Sequence, residues 1–257
     1  MSPSETGFID ADQALDTEQR ARIDLAACYR LAALYGMSDL IATHISARLP
    51  DENGREVFLI NPYGMLFDEI TASSLIKIDI DGNPLSESSY PVNRAGFVIH
   101  STLHAARPDV QCVMHTHTRA GVAVSAQPKG LLPISQQATL VLNSLAYHDY
   151  EGLAVHDDER ARLQEDLGGA TYFMLRNHGL LTAARSIAHA FWSMSIFETA
   201  CQIQVAAQAG GELLAVQPQV LAGVEAAMEK MGTAHPALLA WPALLRRLDR
   251  LSPGYRD

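Results

Sequence analysis

The chain has 257 residues, of which 48% are apolar and 19% charged, ample material for a well-buried core. A formal net charge of −10 speaks against nucleic acid or an anionic membrane surface as partner. No apolar run reaches the roughly 18 residues that a membrane span needs, and the N-terminus lacks a basic segment followed by an apolar one, so the expected location is the cytoplasm.

Residues 1–14 are polar and patternless and read as a loose arm ahead of a single domain over 15–257. Ile23, Ala27, Leu31 and Leu34 make an apolar stripe at helical spacing that stops at Gly36. Cys28 lies in that stripe; like Cys112 and Cys201 it reads as a small buried hydrophobe, not as half of a disulfide or part of a zinc cluster. Thr43 to Leu49 alternates strictly, which predicts a strand with His44, Ser46 and Arg48 on its polar face. A turn at Asp51–Gly54 and a second strand over Glu56–Asn61 complete a hairpin, and Asn61-Pro62-Tyr63-Gly64 is a turn with a fixed backbone. Ile76, Ile78 and Ile80 alternate in a further strand that stops at Asp81-Gly82-Asn83.

A helix is expected from Asn93 to Ala106, closed by Arg107-Pro108, followed by a strand over Val110–Met114 and a short small-residue helix over Ala120–Ala126. Leu140–Tyr150 holds a strand-like segment and the polar aromatic cluster Tyr147-His148-Asp149-Tyr150. A charged helix over Asp158–Leu167 breaks at Gly168-Gly169, and Thr171–Leu175 reads as a strand. The longest helix runs from Ser186 to Ala209, with Ile187, Phe191 and Met194 on its buried side, and the tail adds one or two short helices, including Ala243–Leu251. Strands occur both in hairpins and interleaved with helices, which predicts a mixed sheet covered by helices on both faces.

The chemistry concentrates at two strand ends. Val110–Met114 runs into His115-Thr116-His117, and side chains two apart on a strand share a face, so two imidazoles project together. Thr171–Leu175 runs into Arg176-Asn177-His178-Gly179, with a third histidine just past a strand end; the glycine permits a positive φ and a close backbone approach. Three neutral imidazoles suit one divalent transition metal and leave coordination positions open, as a catalytic site requires. Zinc leads, with iron(II) or manganese as alternatives.

Ala106-Arg107-Pro108-Asp109 ahead of His115-Thr116-His117, then Asn177-His178-Gly179-Leu180, resembles the class II aldolase/adducin superfamily. His44-Ile45-Ser46-Ala47-Arg48 and Asn61-Pro62-Tyr63-Gly64 fit the same pattern, and the likeness spans roughly residues 18 to 215. Leu131–Ser135 and Ala146–Tyr150 look closest to the adducin-head branch. The resemblance implies a three-layer α/β/α sandwich around a largely antiparallel central sheet, and a cyclic homotetramer with metal sites near subunit interfaces. It implies His115, His117 and His178 as the metal ligands. The family's catalytic carboxylate falls on Gly96, and no acid lies in Asn93–Phe97. The phosphate-gripping serine pair of the sugar-phosphate aldolases is replaced by Arg94-Ala95, and His44 stands where those aldolases carry Asn.

Candidate replacements for the lost acid are His100, one helical turn after Gly96, and Tyr147, His148 or Tyr150, which lie where such aldolases take a tyrosine from a neighbouring subunit. His104 and Glu198 read as structural, the latter against an arginine or a helix end. Arg94 is a candidate for holding a substrate carboxylate, with His44, Tyr63 and Gly64 as further substrate contacts. The expected function is a metal-dependent lyase, working by aldol cleavage or decarboxylation on a small non-phosphorylated hydroxy, keto or carboxylated substrate. The alternatives are a mononuclear iron(II) oxygenase on the same fold and a non-enzymatic oligomerisation scaffold.

Overall fold

The alternation read at residues 43–49 becomes the first strand of one central sheet. The computed structural model describes residues 17–152, 159–231 and 235–257; the expected arm over 1–14 lies outside them. The strands are β1 (His44–Glu52), β2 (Arg55–Ile60), β3 (Ile76–Asp79), β4 (Cys112–Thr116), β5 (Leu145–His148), β6 (Tyr172–Leu175) and β7 (Gly179–Ala184). Their spatial order is β3-β2-β1-β4-β7-β6-β5. Every adjacent pair is antiparallel except β5 with β6, which is parallel.

Period-two alternation sorts the core onto two faces of this sheet. One face carries Ile45, Ala47, Val57, Leu59, Cys112, Met114, Met174 and Leu180 in the larger apolar cluster. It is covered by α1 (Thr17–Leu34), α3 (Arg119–Ser125), α4 (Gln136–Leu142), α6 (Ile187–Gln208) and α8 (Pro236–Leu251). The opposite face carries Phe58, Ile60, Val113, Phe173, Leu175 and Leu181 under α2 (Arg94–Ala106) and α5 (Glu159–Leu167). The result is the expected three-layer α/β/α sandwich. An eighth helix, α7 (Pro218–Met231), packs near α4. Cys28, Cys112 and Cys201 are free and buried, and no described helix is long and apolar enough to cross a membrane.

Three elements depart from the sequence reading. The segment from Leu140 begins as the end of α4, because Ser135 caps that helix by accepting the Ala138 N–H at 3.0 Å; β5 starts only at Leu145. β7 has no polar alternation to betray it, since it is buried on both faces between β4 and β6. The last helix starts at Pro236 and continues through Pro242, where the sequence suggested a start at Ala243.

Candidate metal centre

β4 is the central strand, and its C-terminal end carries the first two histidines. His115 pairs directly opposite His44 of β1, and opposed residues in an antiparallel pair share a face. Both imidazoles therefore point toward α2, with ring centroids 5.9 Å apart. His117 lies one residue beyond the strand, and Thr118 stops the chain there by capping α3: its hydroxyl accepts the Gly121 N–H at 3.1 Å and donates to the buried Glu198. Glu198 thus sits against a helix end, as expected.

His178 closes the turn between β6 and β7. The positive φ of that turn belongs to Asn177 (+57°), not to Gly179 as anticipated. Gly179 is needed for another reason: a Cβ there would lie 2.4 Å from the Thr116 carbonyl oxygen and 3.1 Å from Cδ2 of His117. The glycine lets β7 start against the very segment that carries the other two rings.

The ligand-capable atoms of His115, His117 and His178 all lie within 4.8 Å of one another. Their protonation follows from their outer partners. His115 Nδ1 is 2.9 Å from the Leu180 carbonyl, and His117 Nδ1 is 3.1 Å from the Asp39 carboxylate. Both partners only accept, so both Nδ1 atoms carry the hydrogen. With both rings neutral, the two Nε2 atoms face each other as lone pairs at 2.8 Å. Two ring nitrogens turned toward one point, each ring locked by an outer acceptor, fit a divalent cation. Burial pushes the His115 pKa well below its ordinary value, with the neighbouring His178, His117 and His44 adding to the effect. His178 is lowered to about 4 by burial and by His117. His115 and His178 are thereby held in the neutral form that metal binding needs.

Asp39 has no sequence signal. It lies 78 residues from His117 in the loop after α1, followed by Leu40 at φ +47°, an uncommon conformation for a non-glycine residue.

Where the resemblance leads one to expect a carboxylate, Gly96 meets an imidazole. A Cβ built on Gly96 would lie 2.7 Å from Cε1 and 3.0 Å from Nδ1 of His44. His44 is buried, its pKa lowered to about 4 chiefly by that burial. Although its ring lies against the Gly96 backbone, neither nitrogen makes a well-formed hydrogen bond among the described residues. His100 stacks beside it at 4.1 Å and holds Ser46 at 2.8 Å through Nδ1. His104, expected to be structural, holds the same hydroxyl from the other side at 2.9 Å.

The remaining candidates separate. Tyr150 reaches the triad: its ring lies 6.2 Å from that of His178 in the same chain, beside a hollow of about 530 Å³ that Arg176 and Asn177 also line. Tyr147 is tied off elsewhere, its hydroxyl accepting the Leu131 N–H at 3.1 Å and its ring lying under Arg176 and against Gly130. His148 is paired with Asp166 at 2.7 Å. Arg94 turns away along the first turn of α2 and donates to Asn83 at 2.8 Å, closing the loop after β3. Tyr63 and Gly64 follow the C-terminal end of β2, at the same end of the sheet as His44 but two strands from β4, and there the Tyr63 N–H bonds to Pro91 and Gly64 faces Tyr90. None of these five residues is joined to the triad by a described contact.

Known proteins share this fold. The family described as Class II Aldolase and Adducin N-terminal domain matches residues 23–205. A protein of Pseudomonas aeruginosa, named provisionally as an aldolase class 2 protein, is 54% identical over 249 residues, 95% of each chain. Rat alpha-adducin is 47% identical over 199 residues, 76% of this chain and 27% of its own length. Among solved structures, an aldolase II superfamily protein from Pseudomonas syringae superposes with a TM-score of 0.89 at 49% identity, covering 96% of this chain and 98% of its own. L-fuculose 1-phosphate aldolase from Glaciozyma antarctica PI12 superposes at 0.81 with 26% identity, over 100% and 97%. The chain belongs to the class II aldolase and adducin N-terminal domain family.

Proposed function

We propose that this protein is a divalent-metal-dependent carbon–carbon lyase acting on a small, non-phosphorylated hydroxy, keto or carboxylated substrate. The observation that carries the reading is the pair of locked imidazoles, His115 and His117, whose Nε2 atoms converge at 2.8 Å beside His178. These three residues hold one ion per subunit, zinc first, with iron(II) and manganese as the other candidates. A divalent ion there supplies Lewis-acid stabilisation of the negative charge that builds on a substrate oxygen when a carbon–carbon bond breaks.

The residues around the triad favour decarboxylation over aldol cleavage. Aldol cleavage needs a base to take a hydroxyl proton, and Gly96 with His44 offers no carboxylate for it. Decarboxylation needs no base: the leaving carboxylate departs as carbon dioxide, and its electron pair passes to the adjoining carbon. In this reading Tyr150, which lies beside His178 and is exposed to solvent, returns a proton to that carbon. His44 contacts the substrate as a neutral ring. The missing serine pair, replaced by Arg94-Ala95, and the rotation of Arg94 onto Asn83 support a substrate without phosphate. The reading also takes the protein to be a cytoplasmic homotetramer.

Metal analysis of the purified protein with a His115→Ala control, followed by incubation of zinc-, manganese- and iron(II)-loaded protein with hydroxy-keto acids and aromatic hydroxy acids, tests it. Release of carbon dioxide or an aldehyde is the expected result. No turnover with any of the three metals would sink it, and oxygen uptake by the iron(II) form would put an oxygenase in its place.

A further inference from the structure

Ser46, His100 and His104 form a buried chain whose direction is fixed by its far end. The Val110 carbonyl only accepts, so His104 Nδ1, 3.3 Å away, carries a hydrogen and His104 Nε2 carries a lone pair. Ser46 Oγ, 2.9 Å from that lone pair, spends its one hydrogen on it. The hydroxyl must then accept from His100 Nδ1 at 2.8 Å. His100 is left with a lone pair at Nε2 in a side chain with no solvent exposure. That nitrogen has no partner among the described residues; the nitrogens of His44, whose ring lies against the Gly96 backbone and between His100 (4.1 Å) and the triad residue His115 (5.9 Å), make no well-formed hydrogen bond there. Buried nitrogens left without well-formed hydrogen bonds in one place are costly unless something pairs with them.

We propose that His100 and His44 form a subsite beside the triad that takes the hydroxyl of a hydroxy acid. The hydroxyl donates to His100 Nε2, and its oxygen accepts from the neutral His44 ring. A carboxylate or phosphate oxygen, which can only accept, meets a lone pair at His100 and is disfavoured. Ser46 and His104 act as positioning residues, since they alone decide which nitrogen of His100 is bare. The proposal rests on the reading that His115, His117 and His178 hold a divalent ion.

The test uses cobalt(II)-substituted protein titrated with glycolate and with acetate, each followed by its visible absorption spectrum. Glycolate binds more tightly in the wild type, in part because it chelates the metal. The subsite is the share of that preference lost in His100→Phe, which keeps a ring without Nε2, and in Ser46→Ala, which frees the His100 ring to turn. The expected loss is roughly five- to tenfold, the worth of one hydrogen bond. An unchanged preference in both variants overturns the subsite while leaving the metal reading intact; failure of the wild type to take up cobalt overturns the metal reading. A third readout needs no metal and no variant. Nitrogen-15 spectra of the metal-free protein must show His100 protonated at Nδ1 and bare at Nε2. Protonation at Nε2 overturns the proposal whatever the metal does.

Discussion

Gly96 and His44 compete for one volume, because a β-carbon at residue 96 would stand 2.7 Å from Cε1 of the imidazole. The glycine is therefore the condition under which a histidine can occupy the pocket. Gly96→Ala should destabilise the protein by about 1–3 kcal/mol, the usual cost of overpacking. In a His44→Ala background the same change should cost less than half as much. Urea unfolding of the four proteins in a double-mutant cycle measures this, and an equal cost in both backgrounds would refute the shared volume.

Asp39 holds the His117 ring by its Nδ1–H. Asp39→Ala should weaken zinc binding roughly 10- to 100-fold, the usual effect of losing such an outer partner, while the thermal stability of the metal-free protein barely moves. Chelator competition gives the affinity. An unchanged zinc constant would show that the ring needs no such support.

Tyr29 fixes the entrance to β1. Its buried hydroxyl accepts the N–H groups of Ile45 (2.7 Å) and Asn61 (3.2 Å), tying α1 to both strands of the hairpin next to His44. Tyr29→Phe leaves those amides without a partner and should cost about 1–3 kcal/mol. A change in unfolding free energy below about 0.5 kcal/mol would contradict the assignment.

The buried histidines make the metal-free fold sensitive to acid. Burial lowers His44 and His178 to about 4 and His104 to about 3, against an ordinary value of 6.5. Below about pH 6.5 the unfolded chain takes up protons that the folded chain refuses, so stability is whole above that pH and drains away as pH falls toward 4. The denaturant midpoint should drop between pH 7 and pH 5, and the drop should shrink in His104→Phe. A flat profile over that range would mean that these rings are not held neutral.

Much of this centre was legible before any coordinates. The strict alternation of residues 43–49 set His44, Ser46 and Arg48 on one face, and the strand-end spacing brought His115, His117 and His178 into one list. What stayed hidden depends on packing between distant segments. The bond from Asp39 to His117 joins residues with no local pattern in common. The charge of Arg94 suits an anion, but its direction is set by its place on the first turn of α2, facing Asn83. Tyr147, His148 and Tyr150 could not be told apart as letters; strand pairing with β6 and the Gly130 corner separate them. The direction of the serine–histidine chain is invisible without the Val110 carbonyl at its end.

The pairing of His44 with His115 across two adjacent strands has a bearing on when the centre comes into being. A slip of β1 by a single residue would turn His44, Ser46 and Arg48 to the opposite side of the sheet. Nothing short of the correctly threaded chain can offer these rings to an ion. Added metal should therefore reward the finished fold by mass action without guiding the chain toward it: refolding should proceed at the same rate with or without zinc, while unfolding slows as zinc is raised.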